Sequence, residues 1–341
     1  MRSSTRGSVT HEYATRPRIP GGALCAAVGH SARATRGRDP ISVAELEAQE
    51  IQLEAPSGLW GEAWRRLIRN PGAIVGFIFI GVLLISAIFA PLIAPHDPLD
   101  QGLRGGLLQA ENPSRDYWFG LDRLGRDQFS RVVYGARYTL LIGVVAVGIG
   151  LSIGMLIGGI AGFFGGFVDS VLMRCMDVML AIPGLLLAIG IAALLGPGLK
   201  QVIIAVGVAQ IPIFARMLRG SILAQKDNDF VLAARAVGVR RWTILGSHIL
   251  PNSISPVIVQ ATLVLATAII DVAGLGFLGL GPQDPSTPEW GTMLTDANEY
   301  LQVYPWLAII PGMAIIISVL GFNLIGDGLR EALDPRFRGR A

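Results

Sequence analysis

The run from Gly72 to Ala94, GAIVGFIFIGVLLISAIFAPLIA, holds no charged residue. A helix rising 1.5 Å per residue needs about 20 apolar residues to cross a hydrocarbon core roughly 30 Å thick, and this run is long enough. Five further runs of similar character lie at about 138–162, 178–196, 200–219, 256–280 and 305–326, so the sequence predicts six membrane-spanning helices and an all-α polytopic fold. The third and fourth runs are divided by Leu195-Gly196-Pro197-Gly198, a turn signal; fused, they would form a helix of about 40 residues, too long for a bilayer.

Composition agrees with this reading. The chain of 341 residues is 52% hydrophobic and 16% charged, with a mean hydropathy of +0.54, and its 43 glycines suit helices that must approach closely in lipid. The net charge of +3 does not point to nucleic acid, because the basic residues are scattered between apolar runs rather than gathered on one face. Cys25 and Cys175 have neither redox nor metal-ligand spacing. His11, His30, His96 and His248 are too dispersed for a metal centre, so no cofactor or metal is expected.

Residues 1–60 are rich in Arg, Ser, Gly and Ala without apolar periodicity, and are expected to be a disordered leader without a cleavable signal. Residues 61–71 follow as an amphipathic segment, in which Trp64, Leu67 and Ile68 alternate with Arg65, Arg66 and Arg69. The first span is then 72–94, an extracytoplasmic loop covers 95–137, and 138–341 holds the other spans. Arg216 to Ser247 contains six basic residues, whereas Gly281 to Tyr304 contains none and four acids. The positive-inside rule therefore puts the former in the cytoplasm, together with both termini. The loop 95–137 breaks the pattern with six arginines against six acids, and its balance suggests a small folded element.

The cytoplasmic loop 220–251 carries the functional signal. Asn228 or Asp229 can cap a short helix, Gly238 can end it, and Phe230, Ala233, Ala234 and Val237 share one side at helical spacing. An apolar helix held outside the membrane needs a partner, and its alanines allow close docking. The sequence from Asp229 through Ala233-Ala234 and Gly238 to Leu250-Pro251 resembles the EAA loop of ATP-binding-cassette importer permeases. That family's pattern has Glu before the two alanines, where this chain has Leu232. Three other segments resemble the dipeptide, oligopeptide and nickel group of the same family. These are Trp118 to Asp127 with Ser130-Arg131 and Gly135-Ala136-Arg137; Gly162 to Asp169 with Met173, Arg174 and Asp177; and Leu275 to Gly281 with Pro288 to Gly291, Phe322 to Arg330 and Leu333 to Pro335.

The resemblance implies a non-hydrolysing subunit of an inner-membrane peptide importer. Its implied partners are a second permease subunit, two cytoplasmic ATPases that use ATP and dock Asp229, Ala233, Ala234, Gly238, Leu250 and Pro251, and an extracytoplasmic substrate-binding protein. The chain itself has no Gly-x-x-x-x-Gly-Lys-Ser/Thr loop to cradle ATP. Asp271, inside the fifth run, is expected either to line the pathway or to hydrogen-bond between helices, since a carboxylate at membrane depth costs about 2.5–3.5 kcal/mol. Arg126 and Asp127 are expected to form a structural contact within the external loop rather than to touch substrate.

Overall fold

Apolar runs become helices here because a backbone in lipid must satisfy its own hydrogen bonds. The computed structural model describes residues 59–101, 110–284 and 286–333, all within one unit, Gly58–Ala341. Most of the leader and the basic tail residues Arg336, Arg338 and Arg340 lie outside the described residues. In order, the helices are α1 (Leu59–Leu67), α2 (Pro71–Ile88), α3 (Ala90–Ile93), α4 (Gln128–Phe164), α5 (Gly166–Leu180), α6 (Gly184–Leu195) and α7 (Leu199–Lys226). They continue as α8 (Asp229–Ala236), α9 (Arg241–Ile244), a π-turn (Leu245–Ile249), α10 (Leu250–Phe277), α11 (Trp290–Asn298) and α12 (Trp306–Leu333).

Five segments are long and apolar enough to span a membrane: α2, α4, α7, the run from α9 through α10, and α12. A bent pair, α5 with α6, is long and apolar enough only when its two pieces are taken together. The expected third span, 178–196, straddles a break in which α5 and α6 meet at 89°. Pro183 supplies no N–H and turns Ile182 away from helical geometry, so an apolar run that looks continuous folds as two pieces. The second expected span, 138–162, begins ten residues earlier, at Gln128, and α4 reaches about 55 Å, well beyond the hydrocarbon core. The first span ends at Phe89, and Pro91 opens the separate turn α3. Gly196 and Gly198 form the expected turn with φ of 84° and 148°, and the Gly198 amide donates to the Leu280 carbonyl at 3.1 Å.

α4 lies along α7, and glycines bring the two backbones together. A Cβ on Gly150, Gly154 or Gly158 would stand 2.9, 2.7 and 2.3 Å from the carbonyls of Gly207, Ile211 and Ala215. Small residues are the means of association where lipid removes the hydrophobic drive between helices. Ile142, Ala146, Val206, Phe214, Leu218, Val264 and Ala268 fill the seam where α10 packs on this pair. α2 packs on α12, while Ile78, Val82, Ile85, Ile309 and Ile316 face outward, as lipid-facing side chains do. α1 rests its buried Ala63 and Leu67 on Ala73 and Ala332, leaving Trp64 and Ile68 exposed.

At the α11 end, a clamp of charges joins segments far apart in sequence. Leu121 bridges Glu111 and Asp127 in antiparallel fashion. Asp122 receives the guanidinium of Arg126 at 2.7 Å and that of Arg131 at 3.3 Å, while Asp296 of α11 meets Arg123 at 2.9 Å and Arg126 at 3.5 Å. Arg126 thus pairs with Asp122 rather than with its neighbour Asp127. Asp127 instead caps α4, accepting from the amide and hydroxyl of Ser130 at 2.9 and 2.5 Å. Three of the six arginines of 95–137, Arg123, Arg126 and Arg131, are thus paired with acids.

The same end is closed by the Pro288-Glu-Trp-Gly291 segment. The buried Trp290 donates Nε1–H to the Val132 carbonyl at 3.0 Å, and it fits because Gly135 has no side chain. Glu289, fully buried, caps α11 by accepting from the amides of Gly291 and Thr292 at 2.8 and 2.9 Å. Burial pushes its carboxyl up to about 7, against the downward pull of those amides and of Thr139.

Two predictions follow from this packing. Gly158→Val should force α4 and α7 apart and cost at least about 1–3 kcal/mol, whereas Gly148→Ala, which meets no atom within 4 Å, should be neutral. Thermal unfolding in detergent reads the difference. Glu289 keeps its proton when folded over a window, about pH 4.5 to 7, where an ordinary carboxyl has lost it. Stability should therefore fall as pH rises through that window, by about 3 kcal/mol. Glu289→Gln, which keeps an acceptor oxygen for the cap, should flatten the dependence of Tm on pH.

Candidate functional site: the helix between α7 and α10

α7 continues seven residues past the expected 219 and delivers the chain to Lys226. Lys226 Nζ donates to the Gly162 and Phe163 carbonyls at 3.1 and 3.2 Å, which satisfies the last turn of α4. Arg219 grips Asp169 of α5 through two bonds of 2.5 and 2.6 Å, and Arg216 pairs with Asp177 on the same helix. The end of α7 is thereby fixed to both α4 and α5.

From that anchor the chain turns into α8. Asn228 occupies the N-cap position in extended geometry, but its side chain makes no capping bond; its amide donates instead to Gln225 at 2.7 Å. Asp229 stands in the first turn, where a negative charge complements the helix dipole. The C-terminus is a Schellman motif, in which the Gly238 amide donates to the Arg235 carbonyl and the Val239 amide to the Ala234 carbonyl, each at 3.0 Å. Gly238 has φ of 81°, the left-handed geometry that this motif requires.

Two halves of α8 behave differently. Val231 is fully buried, and Ala234 is half-buried against the main core, so both hold the helix to the protein. Phe230, Leu232 and Val237 are 41%, 49% and 83% exposed, and Ala233 is exposed beside them. The outward face expected from spacing alone therefore loses Ala234 and gains Leu232. An eight-residue helix that, with the Val237 that follows it, holds three large apolar side chains in water is costly at about 25 cal/mol per Å² of exposed apolar surface, unless another surface covers it.

Leu250 and Pro251 lie at the start of α10, separated from α8 by α9 and the π-turn. Pro251 has no N–H for the Ser247 carbonyl, and the helix widens just before it. That proline was the available sequence signal for the turn. Phe230 of α8 and Pro251 line one cavity of about 830 Å³ together with Glu62 and Arg66 of α1, Gln260 of α10 and Arg330 of α12. A second feature that spacing did not reveal is the stacking of Trp242 on Phe163, with centroids 4.2 Å apart, which fastens α9 to the end of α4.

Asp271 is not part of this group. It lies 20 residues, or about 30 Å, beyond Pro251 along α10, half-buried, and accepts a hydrogen bond from Gln210 Nε2 of α7 at 3.2 Å. Cys175 is a free, exposed thiol on α5. Among the described residues no three His, Cys, Asp or Glu side chains gather as metal ligands.

Comparison with known proteins gives this arrangement its context. Residues 154–339 match the family described as the binding-protein-dependent transport system inner membrane component. Residues 58–110 match the N-terminal transmembrane domain of oligopeptide transport permease C. The dipeptide transport system permease protein DppC of Alkalihalophilus pseudofirmus is 46% identical over 279 residues, covering 82% of this chain and 90% of that protein. The glutathione transport system permease protein GsiD of Shigella flexneri is 47% identical over 284 residues, covering 82% and 91%. Among solved structures, a chain of the inward-facing MetNI methionine ABC transporter overlays with a TM-score of 0.49 at 20% identity, covering 60% of this chain and 96% of that one. The chain belongs to the family of inner membrane components of binding-protein-dependent transport systems, within its dipeptide and oligopeptide permease branch.

Proposed function

We propose that this chain is one of two permease subunits lining the pathway of an ATP-driven importer of short peptides, and that α8 is the element through which separate ATPase subunits move it. The observation that carries this reading is α8 itself, an exposed apolar helix stopped by a left-handed glycine and rooted on α7. A cytoplasmic ATPase groove is the partner that would cover Phe230, Leu232 and Val237. Because α7 is tied to α4 through the glycine seam and to α5 through Arg216 and Arg219, a displacement of α8 would carry the spans with it as a body. The chain supplies no cofactor chemistry; ATP is used by the partners.

In this reading the α8 end and both termini face the cytoplasm, and the α11 end faces outward, where a binding protein delivers substrate. The basic residues from Arg216 to Arg241 against the acids of 281–304 support that orientation in a bacterial inner membrane. Transport of dipeptides and of glutathione by the named relatives favours short peptides. A nickel importer is the second reading, favoured only by the motifs that the branch shares with nickel permeases. Asp271 serves as the link between α7 and α10 rather than as a substrate contact, since its carboxylate already has Gln210 as partner.

Three measurements test these assignments. Gly238→Val places a β-branched residue at φ 81° and should reduce ATP-driven uptake at least tenfold while the chain still inserts in the membrane. Asp271→Asn keeps an acceptor for Gln210 and should leave peptide uptake within about twofold, whereas Asp271→Leu should lower Tm by removing the interhelical bond. Loss of uptake in Asp271→Asn with Tm unchanged would reassign the residue to the pathway.

A further inference from the structure

Between the end of α4 and the loop that follows α8 lies a cavity of about 520 Å³ whose lining has an unusual character. Its charged lining residues are Lys226, Arg235 and Arg241, its rings are Phe163, Phe164 and Trp242, and no carboxylate lines it. Lys226 is engaged with the α4 carbonyls, but the charge of its ammonium is not cancelled there. Arg235 donates only to the Lys226 carbonyl, at 3.5 Å, and among the described residues neither Arg235 nor Arg241 forms an ion pair with an acid. Two guanidinium groups without an acid partner, and an ammonium shared with the α4 carbonyls and the field of Asp169, are thus held around one space, an arrangement that favours an anion.

We propose that this cavity binds the phosphate of an anionic phospholipid. The location argues for a lipid source. The cavity opens at Phe163 and Phe164, directly after the apolar run 138–162, and so at headgroup depth if α4 spans the bilayer as proposed above; the inference rests on that reading. Phe163, Phe164 and Trp242 pack together, with centroids 4.2 Å apart for Phe163 and Trp242 and 5.8 Å for Phe164 and Trp242. Phe164 and Trp242 nevertheless remain 57% and 63% exposed. Aromatic rings half-covered at the end of a span are suited to the membrane interface, and Ile244 and Ile249 extend an apolar wall beside the cations. Basic pockets between helices on the cytoplasmic face recognise lipid phosphates by this combination. A lipid held here would touch α4 through Phe163 and the α8 loop through Arg235 and Arg241, so it would tie the moving loop to the leaflet.

The test uses the chain purified with its co-expressed partner subunits and reconstituted in nanodiscs of equimolar phosphatidylglycerol and phosphatidylcholine. After extraction, retained lipid is counted by mass spectrometry. Wild type should retain phosphatidylglycerol in preference to phosphatidylcholine. Arg235→Gln with Arg241→Gln should lower that preference about twentyfold, at roughly fivefold per basic residue, and the corresponding double lysine variant should keep it. Lysine substitution controls for folding, and Tm of both variants confirms it. Equal retention of the two lipids by wild type, or an unchanged preference in the glutamine variant, would overturn the proposal. So would displacement by millimolar inorganic phosphate with no lipid preference, which would make the occupant a soluble anion. If the glutamine variant loses its ATPase subunits but keeps the lipid preference, the cations belong to the protein partner and the lipid assignment fails. Both leaflets carry both lipids, so a wrong orientation would not alter the retention result; maleimide labelling of single cysteines at each end tests orientation separately.

Discussion

The structure depends on the contact between α4 and α7, where side chains are absent so that backbones can meet. Gly150, Gly154 and Gly158 present one helix surface to the carbonyls of Gly207, Ile211 and Ala215, and a Cβ at any of the three would have to displace main chain. Two helices packed this closely do not slide independently, because interiors at crystal-like density transmit rather than absorb displacement. Everything at the α8 end is then added to this rigid pair. Lys226 closes the last turn of α4 from the end of α7, Arg219 and Arg216 secure α5, and Trp242 stacks on Phe163.

This arrangement holds a helix of eight residues in shape at the end of the spans. Alone, α8 would be too short to persist in water. Val231 sinks one residue of it into the core, and the Schellman motif at Gly238 completes its carbonyls, so the helix is held in shape while Phe230, Leu232 and Val237 remain outside. A partner gripping that face, as proposed, would gain a lever on α7. At the opposite end the clamp of Asp122, Arg126, Arg131 and Asp296, together with Glu289 and Trp290, binds the segment before α4 to α11. The two ends are built on different principles, one leaving apolar side chains exposed and the other burying charge against charge.

Much of this was legible in the chain because bilayers impose a length on apolar runs. The runs behind α2, α7, α10 and α12 could be found by counting, and Gly238 announced the end of α8. What escaped had long-range causes. The first ten residues of α4 contain Arg131 and Arg137, and polarity hid a helix whose arginine is neutralised by Asp122. The bend between α5 and α6 lay inside an apolar run, where only Pro183 marked it. No local pattern joins Arg126 to Asp296, 170 residues away, or sets Trp290 against Gly135. The outward face of α8 was partly misassigned because helical spacing gives an angle between side chains without saying which direction the protein occupies.

The central claim, that α8 is the surface through which an ATPase moves this subunit, is tested most directly by cross-linking. A cysteine at Val237, in a chain whose Cys25 and Cys175 have been replaced by serine, should form a disulfide with cysteines placed along the groove of the ATPase subunit. That link should arrest uptake reversibly, with transport restored on reduction. A complex that transports normally yet yields no cross-link from Val237 to any position in the groove would contradict the account.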